Sequence, residues 1–352
     1  MTKEQFIPGT LGCLRAQLER HPGARAEDIV KCVFQGLLGV GHLLASPEQV
    51  EAYIVRETAE MADAPEESLL EPVSPAWARL NLRRAMAEGL TPRLIAKLMM
   101  SAAPAPGFTR EDVRRACAAY AEEAGILEMG TALARIGEAG WLPSHSDAYR
   151  QRYHPAYRLI PMEAAPLLPV LCAAAKRMSG GARTLVTIDG PCASGKTSLA
   201  GRLADILDAA VIHSDDFVVP HVQKTPERLA VPGGNCDWER LAGEVIMPWK
   251  AGRAGVYRRY DCHRDCLMDP EPLPVGKVLI LEGSYCNLPA IRACADVRVF
   301  ADTPESVRQV RLAARETPAS LEMFRVRWIP LENAYFEAYG LPDEGMIRIN
   351  CS

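Results

Sequence analysis

A glycine-bounded loop between two apolar runs is the part of this sequence that most directly implies chemistry. Residues 184–198 read TLVTIDGPCASGKTS, so that Gly190 and Gly195 bracket four residues and Lys196 and Thr197 follow. Such glycines let successive backbone N–H groups turn towards a phosphate, and the next helix directs its positive N-terminus at the same charge. The lysine reaches the outer phosphates, and the threonine hydroxyl ligates Mg²⁺. The predicted phosphate-binding residues are Gly190, Ala193, Ser194, Gly195, Lys196, Thr197 and Ser198.

Acidic residues follow two of the other predicted strands. Asp215 and Asp216 lie in HSDDF, and Glu282 ends the apolar run of VLILEGSY. In a parallel sheet all of these positions lie at the carboxyl edge, beside the phosphates. A carboxylate there can accept the proton of an attacking hydroxyl and can hold Mg²⁺ through water. We assign Asp215 and Lys196 as catalytic, assign Thr197, Asp215 and Glu282 to the metal, and treat Asp216 as a secondary group or a turn residue.

A basic stripe follows the strand-like run VRVFAD. Arg308, Arg311 and Arg315 recur at steps of three and four residues, which places them on one face of a helix. Such a stripe can close on phosphates as charge builds up during phosphoryl transfer. The alternative is a basic helix face that only contacts solvent.

The composition is that of a globular protein with room for two domains. The chain has 352 residues, of which 48% are hydrophobic and 24% are charged, with a formal net charge of −4. An acidic balance argues against a nucleic-acid-binding surface. We find no run of about eighteen apolar residues and no apolar signal-peptide core, which argues against a membrane segment. Eleven cysteines without a secretory signal favour reduced thiols in the cytoplasm. The oligomeric state stays open, a homo-oligomer included.

From residue 184 onwards, predicted strands alternate with predicted helices, which is typical of a doubly wound parallel α/β sheet. The predicted strands are Thr184–Asp189, Ala210–His213, Val278–Leu281, Val297–Ala301 and Met346–Ile349. The predicted helices extend approximately over Gly195–Leu207, Trp238–Trp249, Pro304–Glu316 and Leu321–Tyr339.

The first half of the chain has helical signals instead. Ser46, Ser74 and Thr91 each precede a proline, as a capping residue precedes the first residue of a helix, and another helix is predicted from Thr109 to Gly125. No strand-like alternation is evident, so we predict an all-α domain over residues 1–143. His42, in the glycine-rich QGLLGVGHLL, is either a ligand-binding group or a structural histidine.

A segment rich in tyrosine and arginine joins the two halves. His145–Pro161 is interpreted as a docking strap rather than an RNA-binding patch, and a helix follows it. The predicted organisation is a helical domain over residues 1–143, a linker strap with a connecting helix over 144–181, and a phosphate-loop domain over 182–352.

Residues 184–350 resemble the uridine kinase and phosphoribulokinase group of P-loop small-molecule kinases. The resemblance is carried by IDGPCASGKTSLA, SDDF, GGNCDWERL, RRYD, LILEGSY, FADTPESVRQVRLAARE and WIPLENAYFEAYG. It implies ATP and Mg²⁺ as cofactors and Asp215 as the general base. It also implies ATP contacts by Arg311 and Arg315. The substrate-binding residues that it implies are Asp216, Asn235, Asp237, Tyr260, Asp261 and Arg308.

Three features depart from that family. His263 comes too early to match the base-reading histidine of uridine kinases, the basic lid after Arg315 is short, and the helical first half is additional. The expected activity is therefore ATP-dependent phosphorylation of a hydroxyl on a nucleoside or a similar small molecule. Two alternatives remain: a nucleotide-dependent regulator, and a kinase of a sugar or a pantothenate-like alcohol. The absence of an N-K-x-D motif argues against a GTPase.

Overall fold

The computed structural model divides the chain into two compact units, Met1–Ala165 and Pro166–Ser352. It describes residues 3–39, 46–59, 61, 68–101, 107–126, 129–138 and 141–352. Gly41 and His42, and with them the histidine candidate of the first half, lie outside the described residues. The boundary between the units follows the segment predicted as a strap, so that this segment belongs to the first unit and the helix after it to the second.

The first unit contains helices and a small antiparallel sheet. Within its described residues the sheet has the strand order β1-β2-β3. The helices are α1 (Lys3–Arg20), α2 (Ala26–Leu38), α3 (Pro47–Ala59), α4 (Leu82–Ala87), α5 (Pro92–Met100), α6 (Arg110–Ala124), α7 (Met129–Arg135) and α8 (Asp147–Tyr153). The strands are β1 (Leu70–Pro72), β2 (Trp77–Asn81) and β3 (Tyr157–Pro161).

Predicted capping residues begin two helices of this unit, α5 and α6. The Thr91 hydroxyl accepts the Leu94 amide at 3.3 Å and so caps α5. Thr109 and Asp112 form a reciprocal capping box at the start of α6, which ends at Gly125 in the left-handed region. Since these caps satisfy helix-terminal amides that lack an intrahelical partner, they locate the helix ends in the sequence.

The prediction that the first domain is entirely helical is wrong, because strands β1, β2 and β3 form a sheet there. Ser74-Pro75 begins a turn between β1 and β2 instead of a helix. The Ser74 hydroxyl accepts the backbone amides of Ala76 at 3.2 Å and Trp77 at 3.1 Å, so the capping chemistry is used in a β-turn. All five residues of β2 are buried, Arg79 and Asn81 included, so burial in this strand does not follow the polar alternation of its sequence.

The segment predicted as a strap packs within the first unit. Its first half forms α8, and its second half forms β3, which pairs antiparallel with β2 from Trp77↔Pro161 to Asn81↔Tyr157. The Tyr149 ring is 2% exposed, and its hydroxyl accepts the Gln17 side-chain amide at 3.2 Å. In α8 Tyr149 is buried while Arg150 and Arg152 are exposed, whereas Tyr153, Tyr157 and Arg158 are all half-buried. The segment is therefore a structural part of the first unit.

The second unit is built on a parallel five-stranded sheet flanked by helices, the fold of P-loop nucleotide-binding proteins. The strand order is β12-β11-β4-β10-β5, and two short hairpins pair β6 with β9 and β7 with β8. The strands are β4 (Thr184–Asp189), β5 (Ala210–His213), β6 (Val256–Tyr257), β7 (Tyr260–Asp261), β8 (Cys266–Leu267), β9 (Glu271–Pro272), β10 (Val278–Glu282), β11 (Val297–Asp302) and β12 (Ile347–Asn350). The helices are α9 (Leu168–Ser179), α10 (Lys196–Leu207), α11 (Pro226–Ala230), α12 (Trp238–Arg240), α13 (Met247–Lys250), α14 (Pro289–Arg292), α15 (Glu305–Arg315), α16 (Pro318–Met323) and α17 (Ile329–Tyr339).

The predicted parallel sheet is confirmed, with strand ends that differ by at most one residue. Strand β4 lies at the centre and is buried along its whole length, because helices cover both faces of the sheet. In register, Glu282 of β10 is opposite Ile188 of β4 and His213 of β5. The carboxyl ends of the central strands therefore lie side by side, which brings the polar groups of three sequence segments to one edge.

Among the residues described, no helix combines the length and the apolar character needed to cross a bilayer.

Candidate active site

The first residue of the loop after β4 has a backbone conformation that requires glycine. Gly190 has φ +145°, and a Cβ atom there would lie 2.5 Å from the Ala301 carbonyl oxygen. The Thr303 hydroxyl donates to the Ser194 carbonyl at 2.8 Å and so ties the loop to the end of β11. The loop is thus a fixed turn around the N-terminus of α10.

Several donors of this loop have no protein acceptor. The first-turn amides of α10, from Lys196 to Ser198, have no intrahelical acceptor because of their position. The Ser194 Oγ atom is buried without a hydrogen-bond partner in the described chain. Lys196 donates from Nζ to the carbonyls of Gly190 at 2.8 Å and Pro191 at 3.0 Å, across the mouth of the loop. An orphaned hydroxyl, free amides and a lysine on one turn fit a bound phosphate chain.

Glu282 links the loop to the end of β5. Its Oε1 atom accepts the Thr197 hydroxyl at 3.0 Å and faces Nδ1 of His213 at 2.5 Å. This hydrogen bond to Glu282 raises the pKa of His213, which is 46% exposed on its side chain. Gly283 allows the close approach, because it has φ +131° and a Cβ atom there would lie 2.1 Å from the Ser214 hydroxyl oxygen.

A hydroxyl and a carboxylate oxygen side by side are donors that Mg²⁺ prefers. No group of three or more histidine, cysteine or acidic side chains in the described residues could hold a metal ion alone. Since Mg²⁺ is commonly held by one or two protein oxygens together with substrate phosphates and water, the pair Thr197 and Glu282 fits a metal that arrives with a nucleotide.

Asp215 and Asp216 follow β5 in a short 3₁₀ turn, Ser214–Asp216. Both side chains carry a raised pKa, for which burial is the main cause, and the charge of Glu282 adds to it in each case. Lys196 lies close enough to Asp215 to lower its pKa in part. Asp215 keeps solvent-accessible surface although protein atoms crowd its carboxyl group, and it accepts no hydrogen bond within the second unit, all of whose residues are described. It is therefore an unengaged carboxylate beside the loop lysine.

The basic stripe on α15 reaches the loop with two of its three members. Arg308 donates from Nη1 to the Cys192 carbonyl at 3.4 Å, and its buried Nε has no partner in the described chain. Arg311 donates to the carbonyls of Ala193 at 3.4 Å and Cys351 at 2.7 Å. Arg315 instead pairs with Glu316 at 2.6 Å and is exposed. The structure thus brings Arg308 and Arg311 to the loop and turns Arg315 to a neighbour on its own segment.

Two buried acidic residues, which are not among the predicted site residues, support the loop. Glu332 of α17 accepts the Cys192 amide at 2.9 Å through Oε2 and the Ser284 hydroxyl through Oε1. Asp189 accepts the Gly190 amide at 2.8 Å and the Tyr335 hydroxyl at 2.7 Å. The signal that marks both is an acidic residue inside an apolar stretch, LVTIDG and WIPLENAYF. A buried carboxylate needs such donors, so both are positioning residues for the loop.

The predicted substrate residues lie in two places. Asn235 is buried, and its backbone carbonyl accepts the Val219 amide at 3.0 Å, which places it beside the segment that follows the Ser214–Asp216 turn. Its side-chain Oδ1 has no partner in the described chain. Asp237 caps α12 and bonds Arg240 at 3.2 Å from both the backbone and the side chain of that arginine. Its carboxylate is thus largely engaged within the protein.

Tyr260 and Asp261 belong to the small hairpin of β7 and β8. The Tyr260 hydroxyl donates to the Asp265 carboxylate, and Asp261 accepts the amides of His263 at 2.8 Å and Arg264 at 3.1 Å. These contacts shape the hairpin turn. Of the four acceptor-pocket candidates from the family resemblance, Asn235 alone retains an unengaged side-chain acceptor in the described structure.

Comparisons with known proteins give structural matches but no sequence-level assignment. No protein-family model matches this sequence, and no curated protein matches it either. A structure from Bacillus stearothermophilus, named provisionally as a uridine kinase, is similar over 53% of this chain and 99% of its own, with 20% identity and a TM-score of 0.40.

Two further matches are proteins named for sugar substrates. One, named provisionally as a fructose transport system kinase from Silicibacter sp. TM1040, is 25% identical over 45% of this chain and 85% of its own, with a TM-score of 0.36. The other, a sugar kinase from Janibacter sp. HTCC2649, is 21% identical over 48% of this chain and 86% of its own, with a TM-score of 0.28. Each match covers only about half of this chain.

Proposed function

We propose that the second unit is an ATP-dependent kinase that transfers the γ-phosphoryl group to a hydroxyl of a small molecule. The observation that carries the proposal is the joint placement of the Lys196 loop, the Thr197–Glu282 contact at 3.0 Å and the unengaged Asp215 carboxylate at one sheet edge. Phosphoryl transfer needs a phosphate cradle, a metal-binding oxygen pair and a proton acceptor, and it needs little else from the protein.

Each residue has a distinct role in this proposal. Bound Mg²⁺·ATP supplies the phosphoryl group and part of the charge neutralisation. Thr197 and Glu282 hold the metal, and the loop amides with Lys196 hold the phosphates. Arg308 and Arg311 add positive charge on the other side of the loop.

Asp215 accepts the proton of the acceptor hydroxyl. Its raised pKa supports this role, because a carboxylate of higher pKa is a stronger base towards an alcohol. Asp216 and the unpartnered Asn235 Oδ1 are the groups best suited to bind further hydroxyls of the acceptor. Since Asp237, Tyr260 and Asp261 are engaged in a cap and a hairpin turn, we infer a small polyhydroxy acceptor, either a nucleoside of the uridine type or a sugar-like alcohol.

The experiment is a two-step measurement on the full chain. ATP consumption is first measured with Mg²⁺ against a panel of nucleosides, hexoses and pantothenate, and we expect one class to stimulate it strongly. A flat panel together with tight ATP binding would instead favour a nucleotide-dependent regulator.

The Asp215→Asn variant then tests the base. We expect turnover with the stimulating acceptor to fall roughly 10²–10⁴-fold, while ATP affinity stays within about threefold, because the variant keeps the shape and removes the proton acceptor. Asp269→Asn, which changes an exposed aspartate of the same unit with no assigned role, is the matched control and should retain most of the turnover. Full turnover in Asp215→Asn would remove that residue from the catalytic role.

A further inference from the structure

The first unit encloses a polar cluster that the proposed kinase chemistry does not use. It is drawn from helices α2 and α8 and from strands β1, β2 and β3, and it surrounds the Tyr157 ring. We call it the Tyr157 cluster; its members are Asp28, Lys31, Gln35, Glu71, Arg79, His145, Arg150, Tyr157 and Arg158.

A directed hydrogen-bond chain runs through the centre of this cluster. Asp28 accepts His145 Nδ1 at 2.9 Å and the Ser146 amide at 3.0 Å, and the Ser146 hydroxyl at 2.7 Å. His145 Nε2 faces the Tyr157 hydroxyl at 2.6 Å. Since an ionised carboxylate only accepts, His145 donates from Nδ1, and Nε2 then accepts the Tyr157 proton. The Tyr157 hydroxyl is therefore held in one orientation, with its oxygen lone pairs facing its neighbours.

Two arginine side chains contact Tyr157, Arg79 at the ring and Arg158 at the backbone carbonyl. The Arg79 guanidinium lies 4.5 Å from the Tyr157 ring centroid, donates to Gln35 Oε1 at 2.9 Å and pairs with Glu71 at 3.5 Å. Arg158 pairs with Glu57 and donates to the Tyr157 carbonyl at 2.9 Å. Each carboxylate of the cluster is thus already engaged, and Glu71 also pairs with Arg20.

Arg150 has no carboxylate partner in the described part of the chain and donates from Nε to the His145 carbonyl at 3.1 Å. Lys31 also lacks such a partner. Within the described part of the chain its ammonium group has no carboxylate within 4.0 Å, and its one recorded contact is the Tyr157 ring at 6.0 Å. Burial, followed by the charges of Arg79, Arg150 and Arg158, lowers the pKa of Lys31 to about 8, and Asp28 opposes this only in part. Arg79 and Arg158 are paired with Glu71 and Glu57, which leaves the charges of Lys31 and Arg150 without a paired anion. Such an arrangement is unfavourable unless negative charge is supplied from elsewhere.

We propose that Lys31 and Arg150, next to the buried charge of Arg79, form a binding site for an oxyanion group, the phosphate or the carboxylate of a small metabolite, beside the Tyr157 ring. Guanidinium forks suit both planar and tetrahedral oxyanions, and the ammonium group adds a point charge. Lys31 is partly exposed, so a ligand can reach it. This site lies in the first unit and is independent of the proposed kinase activity.

The pH dependence of binding follows from the groups that face Lys31. They are Arg79 on β2, Arg150 on α8, Asp28 on α2, and Tyr157 and Arg158 on β3, with His145 ahead of α8. Burial lowers the pKa of His145 to about 4, and burial raises that of Tyr157. Between pH 7 and 9.5 Lys31 is therefore the member of this set that loses its charge, and anion affinity falls as pH rises through about 8.

Calorimetric titration of the full chain with sulfate at constant ionic strength tests the site, because sulfate does not titrate in this range. Lys196→Met serves as the background, so that the phosphate-binding loop contributes least. We expect one saturable site, weakened about tenfold by Lys31→Gln, and retained with a flat pH profile by Lys31→Arg. Lys3→Gln, which removes a lysine paired with Asp112, is the control for net charge. Titrations with phosphate and citrate show which oxyanion shape is preferred.

Thermal unfolding in anion-free buffer separates ligand binding from a structural role. If Lys31 awaits an anion, Lys31→Gln is at least as stable as the parent, because it removes an unpaired charge. The inference is overturned if Lys31→Gln is markedly less stable there, or if none of the three anions binds saturably. It is equally overturned if binding is unchanged by Lys31→Gln.

Discussion

The phosphate-binding loop and the Tyr157 cluster both concentrate charge, but the chain assembles them differently. The loop places its glycines, lysine and threonine within eight consecutive residues, 190–197, and adds acidic residues from the ends of neighbouring strands. The Tyr157 cluster joins residues as far apart as Asp28 and Arg158, with no motif around any of them. A site formed by local backbone geometry can be predicted from the sequence, whereas a site formed by side chains distant in sequence cannot.

The two regions also differ in which of their groups have no partner. At the loop, donors are left without acceptors, since Ser194 Oγ and the first-turn amides of α10 have none among the described residues. In the Tyr157 cluster the hydrogen bonds of Asp28, His145 and Tyr157 are satisfied, and the charges without a paired anion are those of Lys31 and Arg150. We therefore expect substitutions at the loop to affect function more than stability, and substitutions in the satisfied chain to do the reverse.

The largest effect is expected from Lys196→Met. Removal of this ammonium should lower phosphoryl transfer roughly 10²–10³-fold, about 3–4 kcal/mol, because a fixed positive charge at the transferred group is lost. The melting temperature should change little, since the Lys196 side chain forms hydrogen bonds only to the loop carbonyls of Gly190 and Pro191. Steady-state kinetics and thermal unfolding measure the two quantities. Lys277→Met, at the opposite edge of the sheet, is the control, and an equal loss of activity there would contradict the assignment.

A smaller effect on stability is expected from Asp28→Asn. Hydrogen bonds from His145, Arg25 and Ser146 outweigh burial and hold the pKa of Asp28 near 2, so the carboxylate stabilises the first unit by about 2 kcal/mol at pH 7. Because the folded-state pKa is depressed, this contribution is present above about pH 4 and is lost as pH falls towards 2.

Hydrogen exchange of the α2 amides in wild type and Asp28→Asn measures this difference at pH 7 and at low pH. Asp147→Asn, an exposed position of the same unit, should stay within about 0.5 kcal/mol. Equal stability of Asp28→Asn and wild type at pH 7 would show that the hydrogen-bond chain contributes nothing.

The smallest effect is expected from His213→Gln. Glu282 raises the pKa of His213, so the stabilisation is fully present below about pH 6.5 and is lost as pH rises through the folded-state value. Since the histidine is 46% exposed, solvent screening limits the effect to less than about 1 kcal/mol. Urea unfolding at pH 5.5 and pH 9 should show a difference between wild type and His213→Gln only at the lower pH, and none for the exposed His263→Gln.

Periodicity and turn chemistry predicted most of the second unit. The strand Thr184–Asp189 and the strand Ala210–His213 have the predicted ends, because apolar runs bounded by Gly190 and Asp208 leave little choice. The hairpins of β6–β9 and β7–β8 were not predicted, since two-residue strands carry no period. Because Tyr260 and Asp261 form β7, their side chains shape the hairpin turn between β7 and β8.

The first unit was predicted less completely, for a specific reason. Ser74-Pro75 has the local chemistry of a helix cap and also of a β-turn, and only the pairing of β1 with β2 selects the turn. Glu332 was missed in the second unit for a similar reason, since nothing near it in sequence shows that α17 carries it to the Cys192 amide.

The amino-acid sequence alone determined the phosphate-binding loop, the parallel sheet and the acidic residues at its carboxyl edge, because backbone geometry and strand periodicity are local properties. The tertiary structure decided which side chains are engaged: it left Asp215 free, committed Asp237 to a helix cap, and placed Lys31 among three arginines. Those outcomes depend on contacts between distant segments, where burial sets the energy of each charge and its partners determine what it can still bind.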